Sequence, residues 1–120
     1  MLRVKRVYDP PQPADGYRVL VDRLWPRGLT REAAALDAWM KDLAPSDGLR
    51  RWFGEAEGRW PEFAVRYRAE LASEAAAGGL AELRSRAREG TVTLLFGKRD
   101  AVYNNAEVLR AVLEGTEPPR

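Results

Sequence analysis

Apolar and polar positions along the chain predict three strands. Leu2 to Tyr8 alternates apolar and polar residues, which is typical of a half-exposed strand at the edge of a sheet. Tyr17 to Leu24 contains the apolar run Val19 to Val21, and Thr91 to Phe96 is apolar at most positions. Such runs indicate interior strands. We therefore expect a small three-stranded sheet, mostly parallel or mixed.

The segment between the first two strands, residues 9 to 16, contains three prolines. It is too short for the helical crossover that joins parallel strands, which takes about a dozen residues or more. We therefore expect the first two strands to be antiparallel or irregularly joined.

The long segment between the second and third strands predicts several helices. Thr30 caps the first and Pro45 ends it, and its apolar face is formed by Leu29, Ala33, Leu36, Met40 and Leu43. Ser46 caps a short helix that runs through Phe53, and Gly54 to Gly58 is interpreted as a loop.

The apolar face of the next helix is formed by Trp60, Phe63, Tyr67 and Leu71. We expect Gly78 and Gly79 to interrupt this helix before Leu80. A last helix follows the third strand, and residues 115 to 120 form a loose tail. The chain is thus predicted to be a single α/β domain, residues 1 to 120, in which a right-handed multi-helix crossover joins the two interior strands.

Charged residues follow both interior strands. They are Asp22, Arg23 and Arg27, which follow the apolar run of the second strand at its carboxyl end, and Lys98, Arg99 and Asp100, which follow the third strand. If these strands are parallel neighbours, their carboxyl ends bring the six side chains to one edge of the sheet, where open α/β sheets bind ligands. Four cations against two carboxylates favour a phosphate or carboxylate ligand. The alternative is a structural ion-pair network between Asp22 and the arginines.

The residue types assign roles within this predicted site. Arg23, Arg27, Lys98 and Arg99 would hold the anion, and Trp25, next to the turn at Pro26, would form a wall of the pocket. Asp22 or Asp100 would act as a catalytic base or orient a ligand group. A neighbouring arginine lowers the pKa of a carboxyl group, so orientation suits either aspartate better than base catalysis near neutral pH.

The only two asparagines, Asn104 and Asn105, lie at the predicted start of the last helix. Asparagine is unfavourable inside a helix but is a good N-cap. Either one of them caps a helix that starts late, or an amide, for which Asn105 is the candidate, faces a ligand at the strand ends.

Composition narrows the chemistry that is available. The 120 residues include no cysteine and no histidine. This excludes disulfides, thiol nucleophiles, imidazole bases and metal sites built from sulfur and nitrogen ligands. We assign no metal and no cofactor.

The charge balance and the hydropathy pattern restrict partners and location. Twenty basic residues against 18 acidic ones give a net charge of +2, which does not favour nucleic acid. No apolar run approaches the roughly 20 residues that span a bilayer, and the amino terminus lacks the apolar core of a signal peptide. We expect a cytoplasmic protein without a membrane partner; the sequence leaves its oligomeric state open.

The chain resembles the YeaO-like domain-of-unknown-function family of small bacterial and archaeal proteins. Nearly the whole chain contributes to the resemblance, through Asp15 to Gly28, Leu36-Asp37-x-Trp39, Lys41 to Ser46, Leu49-Arg50-x-Trp52-Phe53-Gly54, and Thr91 to Leu95 followed by Asp100 and Asn105-Ala106. The family brings no settled activity. Lys98 stands where the family pattern leads us to expect a small residue, which makes it a weaker site residue than Asp22, Arg23 or Arg27.

Three functions are compatible with these observations. The first is binding or turnover of a small anionic ligand that bears a phosphate or carboxylate group, nucleotides included, at the carboxyl ends of the strands. The second is a non-catalytic interaction module with a structural Asp/Arg cluster. The third is association with nucleic acid, against which acidic residues interspersed among the arginines of residues 50 to 70 argue.

Overall fold

A four-stranded parallel sheet is the centre of the computed structural model, which describes residues 1–54 and 58–120. The strands are β1 (Leu2–Arg6), β2 (Tyr17–Leu20), β3 (Ala38–Trp39) and β4 (Val92–Phe96), in the spatial order β1-β4-β2-β3. Every pairing is parallel. The predicted α/β class is confirmed, but the predicted number of three strands was wrong.

Five helices accompany the sheet in the described part of the chain: α1 (Arg31–Ala34), α2 (Asp47–Phe53), α3 (Trp60–Leu71), α4 (Glu74–Glu89) and α5 (Asn105–Glu114). Two single 3-10 turns, Pro13–Asp15 and Lys41–Leu43, connect other elements. No helix among the described residues combines the length and apolar character needed to cross a bilayer.

The two faces of the sheet pack against different clusters because successive side chains of a strand point to opposite faces. Val19 of β2 and Leu94 of β4 belong to the larger core, which α2 to α5 complete. Leu20 and Leu95 belong to a smaller cluster with Trp25, Leu36 and Trp39, among others. All five residues of β4 are buried, as its apolar run predicts.

The segment predicted as one long helix, Leu29 to Leu43, is the clearest correction. Thr30 caps α1 as expected, since its side chain accepts a hydrogen bond from Ala33 N–H at 3.1 Å. However, Ala35 adopts a left-handed backbone with φ 48°, which ends the helix after about one turn. The chain then forms β3, and Met40 N–H donates to Leu20 C=O at 2.9 Å.

Of the two alternatives for the first two strands, the antiparallel one is wrong: β1 and β2 are parallel, and β4 lies between them. The segment that joins them is irregular, with a single 3-10 turn and no crossover helix. Two further expectations differ from the structure. β2 ends at Leu20 rather than Leu24. The break between helices falls at Ser73, not at Gly78 and Gly79, which lie inside α4.

Gly79 has a packing role instead. A Cβ at this position would lie 3.1–3.2 Å from side-chain atoms of Leu43, so glycine allows α4 to approach the 3-10 turn closely. Ser46 caps α2 as predicted, accepting from Leu49 N–H at 3.2 Å. Most of the predicted loop between Gly54 and Gly58 lies outside the described residues.

The carboxyl-terminal tail has no regular secondary structure but makes specific contacts. Trp60 Nε1–H donates to Pro119 C=O at 2.6 Å, and Tyr103 O–H donates to Arg120 C=O at 2.9 Å. The Trp60 ring also contacts Phe53 and Phe63, with centroids 6.0 and 5.8 Å away.

A buried ion cluster lies at the amino-terminal end of β2, where Lys5 of the edge strand β1 also reaches it. The Asp15 carboxylate accepts from Lys5 Nζ at 3.0 Å and from Arg18 Nη1 at 2.6 Å. Burial alone would raise the pKa of Asp15, but hydrogen bonds from Gln12 N–H, Lys5 and Arg18 outweigh it and hold the pKa below its usual value. The sequence analysis placed its Asp/Arg cluster at the opposite end of the strands.

Replacing Asp15 therefore tests how far the fold depends on this cluster. Asp15→Asn should lower the free energy of unfolding by about 3–5 kcal/mol, because it leaves the buried guanidinium of Arg18 without its counter-charge. Since the folded pKa of Asp15 is lowered, the difference from the wild type should be full above the unfolded pKa and shrink as pH falls through the folded pKa. Urea denaturation across pH measures both. Glu82→Gln, in an exposed ion pair with Arg86, should change stability by less than about 1 kcal/mol.

Candidate functional site

A cavity of about 300 Å³ opens at the carboxyl ends of β2 and β4. Residues from both strand ends, from α2 and α3 and from the start of α5 line it. They are Asp22, Arg23, Leu24, Pro45, Arg50, Phe53, Gly54, Phe63, Lys98 and Asn105. The cavity thus lies where the sequence placed a site, and it contains four of the eight predicted site residues.

Asp22 lies two residues beyond the end of β2 and ties three elements together. Its Oδ2 accepts from Gly97 N–H at 2.8 Å, just after β4, and its Oδ1 accepts from Asn105 Nδ2 at 3.0 Å, at the start of α5. The same Asn105 amide donates to Val21 C=O at 3.0 Å. The carboxylate is therefore fixed by a backbone amide and by a side chain that is itself fixed.

The pKa of Asp22 is raised. Burial is the main cause, and the hydrogen bonds from Asn105 and Gly97 and the charge of Arg50 reduce the effect without reversing it. Within the described part of the chain Asp22 forms no ion pair; its partners are uncharged N–H groups. The expected Asp22–Arg ion pair, and the lowered pKa that it implied for Asp22, were wrong.

Three cations line the same cavity. Arg23 donates through Nε to Pro45 C=O at 3.0 Å. Arg50 pairs with Asp47 at 2.6 Å. Lys98 Nζ donates to Gly54 C=O at 3.2 Å and lies 3.6 Å from the centroid of the Phe53 ring. Among the lining residues that the structure describes, Asp22 carries the one carboxylate, so three cations stand against one acidic group there.

Trp25 and Arg27 do not line the cavity. Trp25 belongs to the smaller cluster on the other face of the sheet, 5.5 Å from Trp39, and its Nε1–H donates to Leu29 C=O at 2.6 Å. Arg27 is exposed, and its backbone carbonyl accepts from Tyr8 O–H at 2.8 Å. Trp25 precedes the turn at Pro26 and Arg27 follows it, and neither belongs to the cavity lining.

Arg99 and Asp100 are also outside the cavity and are exposed. Asp100 Oδ1 accepts from the backbone N–H groups of Val102 and Tyr103, both at 2.9 Å. These two hydrogen bonds lower the pKa of Asp100. Asp100 therefore stabilises the turn that leads into α5.

The two asparagines divide the roles that the sequence left open. Asn104 is the N-cap of α5: its Oδ1 accepts from Glu107 N–H at 3.0 Å, and its amide donates to Asp100 C=O at 3.0 Å. Asn105 faces the strand end and holds Asp22. Neighbouring helical residues point about 100° apart, which is why only one reaches the cavity.

The predicted site omitted Arg50, Phe53 and Phe63. The first two lie on α2, and Phe63 belongs to the apolar face of α3 that the sequence assigned to the core. The alternation of arginines and aromatics in Arg50 to Phe53 was visible in the sequence, but its placement depends on the path of the crossover.

Comparison with known proteins adds a family to this geometry. Residues 1–117 match the sequence model of a family described as the inactive DUF488-N3 subclade. The chain belongs to this family. It is 42% identical over 109 residues to the uncharacterized protein YeaO of Escherichia coli strain K12, covering 90% of this chain and 92% of that protein.

The chain is also 43% identical over 114 residues to the uncharacterized protein Rv3073c of Mycobacterium tuberculosis strain H37Rv, covering 95% of this chain and 94% of that protein. The resemblance to the YeaO-like family is thereby confirmed. No solved structure matches the chain.

Substitution of each asparagine in turn distinguishes capping of α5 by Asn104 from positioning of Asp22 by Asn105. Asn104→Ala should lower the free energy of unfolding by about 1 kcal/mol through loss of the cap and leave the pKa of Asp22 unchanged. Asn105→Ala should raise the pKa of Asp22 further, because it removes a hydrogen bond to the ionised form. NMR titration of the Asp22 carboxyl carbon measures this shift. Equal titration curves for the two variants would contradict the assignment.

The opposite pKa shifts of Asp22 and Asp100 predict opposite pH dependences. Since the folded pKa of Asp22 is raised, its protonation favours the fold, and the stability of the wild type relative to Asp22→Asn should increase as pH falls through the folded pKa. The stability of the wild type relative to Asp100→Ala should decrease as pH falls through the lowered pKa of Asp100. Urea denaturation between about pH 3 and 7 measures both differences, and differences of the same sign would refute the prediction.

Proposed function

We propose that this protein binds a small anionic ligand in the cavity at the carboxyl ends of β2 and β4. The observation that carries the proposal is the convergence of Arg23, Arg50 and Lys98 on one cavity with only one carboxylate among the described lining residues. Ligands of open α/β sheets bind at this edge. Guanidinium groups recognise carboxylate and phosphate through paired N–H donors.

Arg23 is the cation best placed to contact such a ligand. It forms no ion pair within the described residues, and its hydrogen bond to Pro45 uses Nε alone. The four N–H donors of its two terminal nitrogens are therefore available to an oxyanion. Arg50 and Lys98 add positive charge, although each also has a protein partner.

The size and lining of the cavity favour a small molecule. A volume of about 300 Å³ is at the lower end of the range for ligand pockets. The Phe53 and Phe63 rings supply apolar surface beside the charges. Arginines on the nearby helices offer less to nucleic acid, because Arg51, Arg66 and Arg68 form ion pairs with acidic residues.

Binding suits this site better than turnover. Asp22 is held by two donors, and Asp100, the other proposed catalytic residue, is outside the cavity. The description of the family as an inactive subclade supports the same reading. A non-catalytic binding protein is the binding alternative within our first hypothesis. A cytoplasmic location stays a prediction.

Arginine variants test this proposal. Arg23→Ala should weaken binding of inorganic phosphate or citrate by about 10- to 100-fold, since a charge-assisted hydrogen bond contributes about 1.5–3 kcal/mol. Isothermal titration calorimetry at constant ionic strength measures the affinity. Arg99→Ala and Arg27→Ala remove exposed arginines outside the cavity and are matched controls with unchanged affinity.

Arg50→Ala is a second variant, because the ion pair that it removes is partly exposed, with 42% of each side chain accessible, and the fold should survive. A wild type that binds neither anion, or equal affinities for the wild type, Arg23→Ala and Arg50→Ala, would overturn the proposal.

A further inference from the structure

Asp22 is unexpected in a cavity that binds anions. Its carboxylate would repel a bare oxyanion placed beside it, and the described structure provides no ion pair to neutralise it. We infer that the ligand carries, next to its acidic group, an O–H or N–H group that donates a hydrogen bond to Asp22. This inference rests on the proposed function and names the ligand class: small carboxylates or phosphate esters with a hydroxyl or amino substituent.

The hydrogen-bond capacity of the site supports this assignment. An ionised carboxylate has about four lone-pair positions, and Gly97 and Asn105 occupy two at Asp22. Both donations of the Asn105 amide go to the protein, one to Val21 C=O and one to Asp22. Among the described groups on this side of the cavity, the Asp22 carboxylate therefore retains lone pairs that can accept a hydrogen bond from a ligand, whereas the Asn105 amide has no N–H left to donate.

The position of this acceptor is fixed before a ligand arrives. Gly97 allows the carboxylate to approach the backbone, since a Cβ at position 97 would lie 3.1 Å from Asp22 Oδ2. Asn105 fixes the other oxygen from α5. A group held from two elements loses little freedom on binding, which favours selection by hydrogen bonding.

The charges of the lining residues assign different roles to the cations and to Asp22. Arg23, Arg50 and Lys98 bind the acidic group, and Asp22 distinguishes ligands that carry a donor from ligands that lack one. A site whose polar group is left unpaired by an analogue rejects that analogue more strongly than one that loses only apolar contact. We therefore expect discrimination within pairs of ligands that differ by one hydroxyl group.

Two such pairs test the inference on the wild-type protein. Lactate is compared with propionate, and glycerol 3-phosphate with propyl phosphate, by calorimetry at neutral pH. The hydroxylated member of at least one pair should bind about tenfold more tightly or better. A preference confined to the first pair identifies a carboxylate ligand, and one confined to the second identifies a phosphate ester.

Asp22→Ala should abolish the preference, bringing the affinity ratio within the pair close to one, while the analogue without a hydroxyl binds as well as before or better because the repulsion is gone. Asp22→Leu, which is close to aspartate in shape and has no acceptor, is the second variant should the alanine variant fail to fold, and it should also abolish the preference. Asp100→Asn is the matched control and should keep the wild-type ratio, since its amide oxygen retains the turn hydrogen bonds.

Two failures are distinguishable. Anions that bind without any preference, or a preference that persists in both Asp22 variants, would overturn this inference and leave the proposed function standing. Absence of binding by all four probes, together with phosphate and citrate, would overturn both.

Discussion

The fold depends on the complete burial of β4 between two parallel partners. Its five residues are buried, and the one hydroxyl among them, on Thr93, donates to Asp15 C=O at 2.6 Å. Because both neighbours run parallel to β4, all three strands leave the sheet at the same edge. Between β3 and β4 the chain therefore has to return to the opposite edge, and α2 to α4 are that return path over a face of the sheet.

The candidate site is a consequence of where this burial stops. Val21 still donates to Leu95 C=O at 3.1 Å, whereas the next residue, Asp22, is only half-buried and accepts from the first amide beyond β4. The last backbone hydrogen bond between β2 and β4 is thus followed directly by a hydrogen bond from a backbone N–H to a carboxylate. Charge is tolerated at this edge because N–H donors replace the water that burial removes.

Structural features that depend on a few neighbouring residues could be predicted from the sequence. Features that depend on which distant segments meet in the fold could not. The interior strands, the caps at Thr30 and Ser46 and the importance of Asn105 follow from short patterns. β3 is two residues long and has no period to detect, and Arg18 holds the carbonyls of Ala34 and Ala35 on the chain that leads to it. The raised pKa of Asp22 results from its burial and from its uncharged N–H partners. Counting charged residues at the strand ends could not identify these partners.

The tryptophan side chains lie in different layers of the molecule, so intrinsic fluorescence can report on separate regions. Trp60 contacts Phe53 and Phe63, which also line the cavity, while Trp25 and Trp39 pack together on the opposite face of the sheet. The indole of Trp60 also holds the carboxyl-terminal tail through Pro119. Trp52, the fourth tryptophan, lies on α2, with the guanidinium groups of Arg59 and Arg66 over its ring. A displacement of the tail therefore acts directly on Trp60, whereas Trp25 and Trp39 report on the opposite face of the sheet.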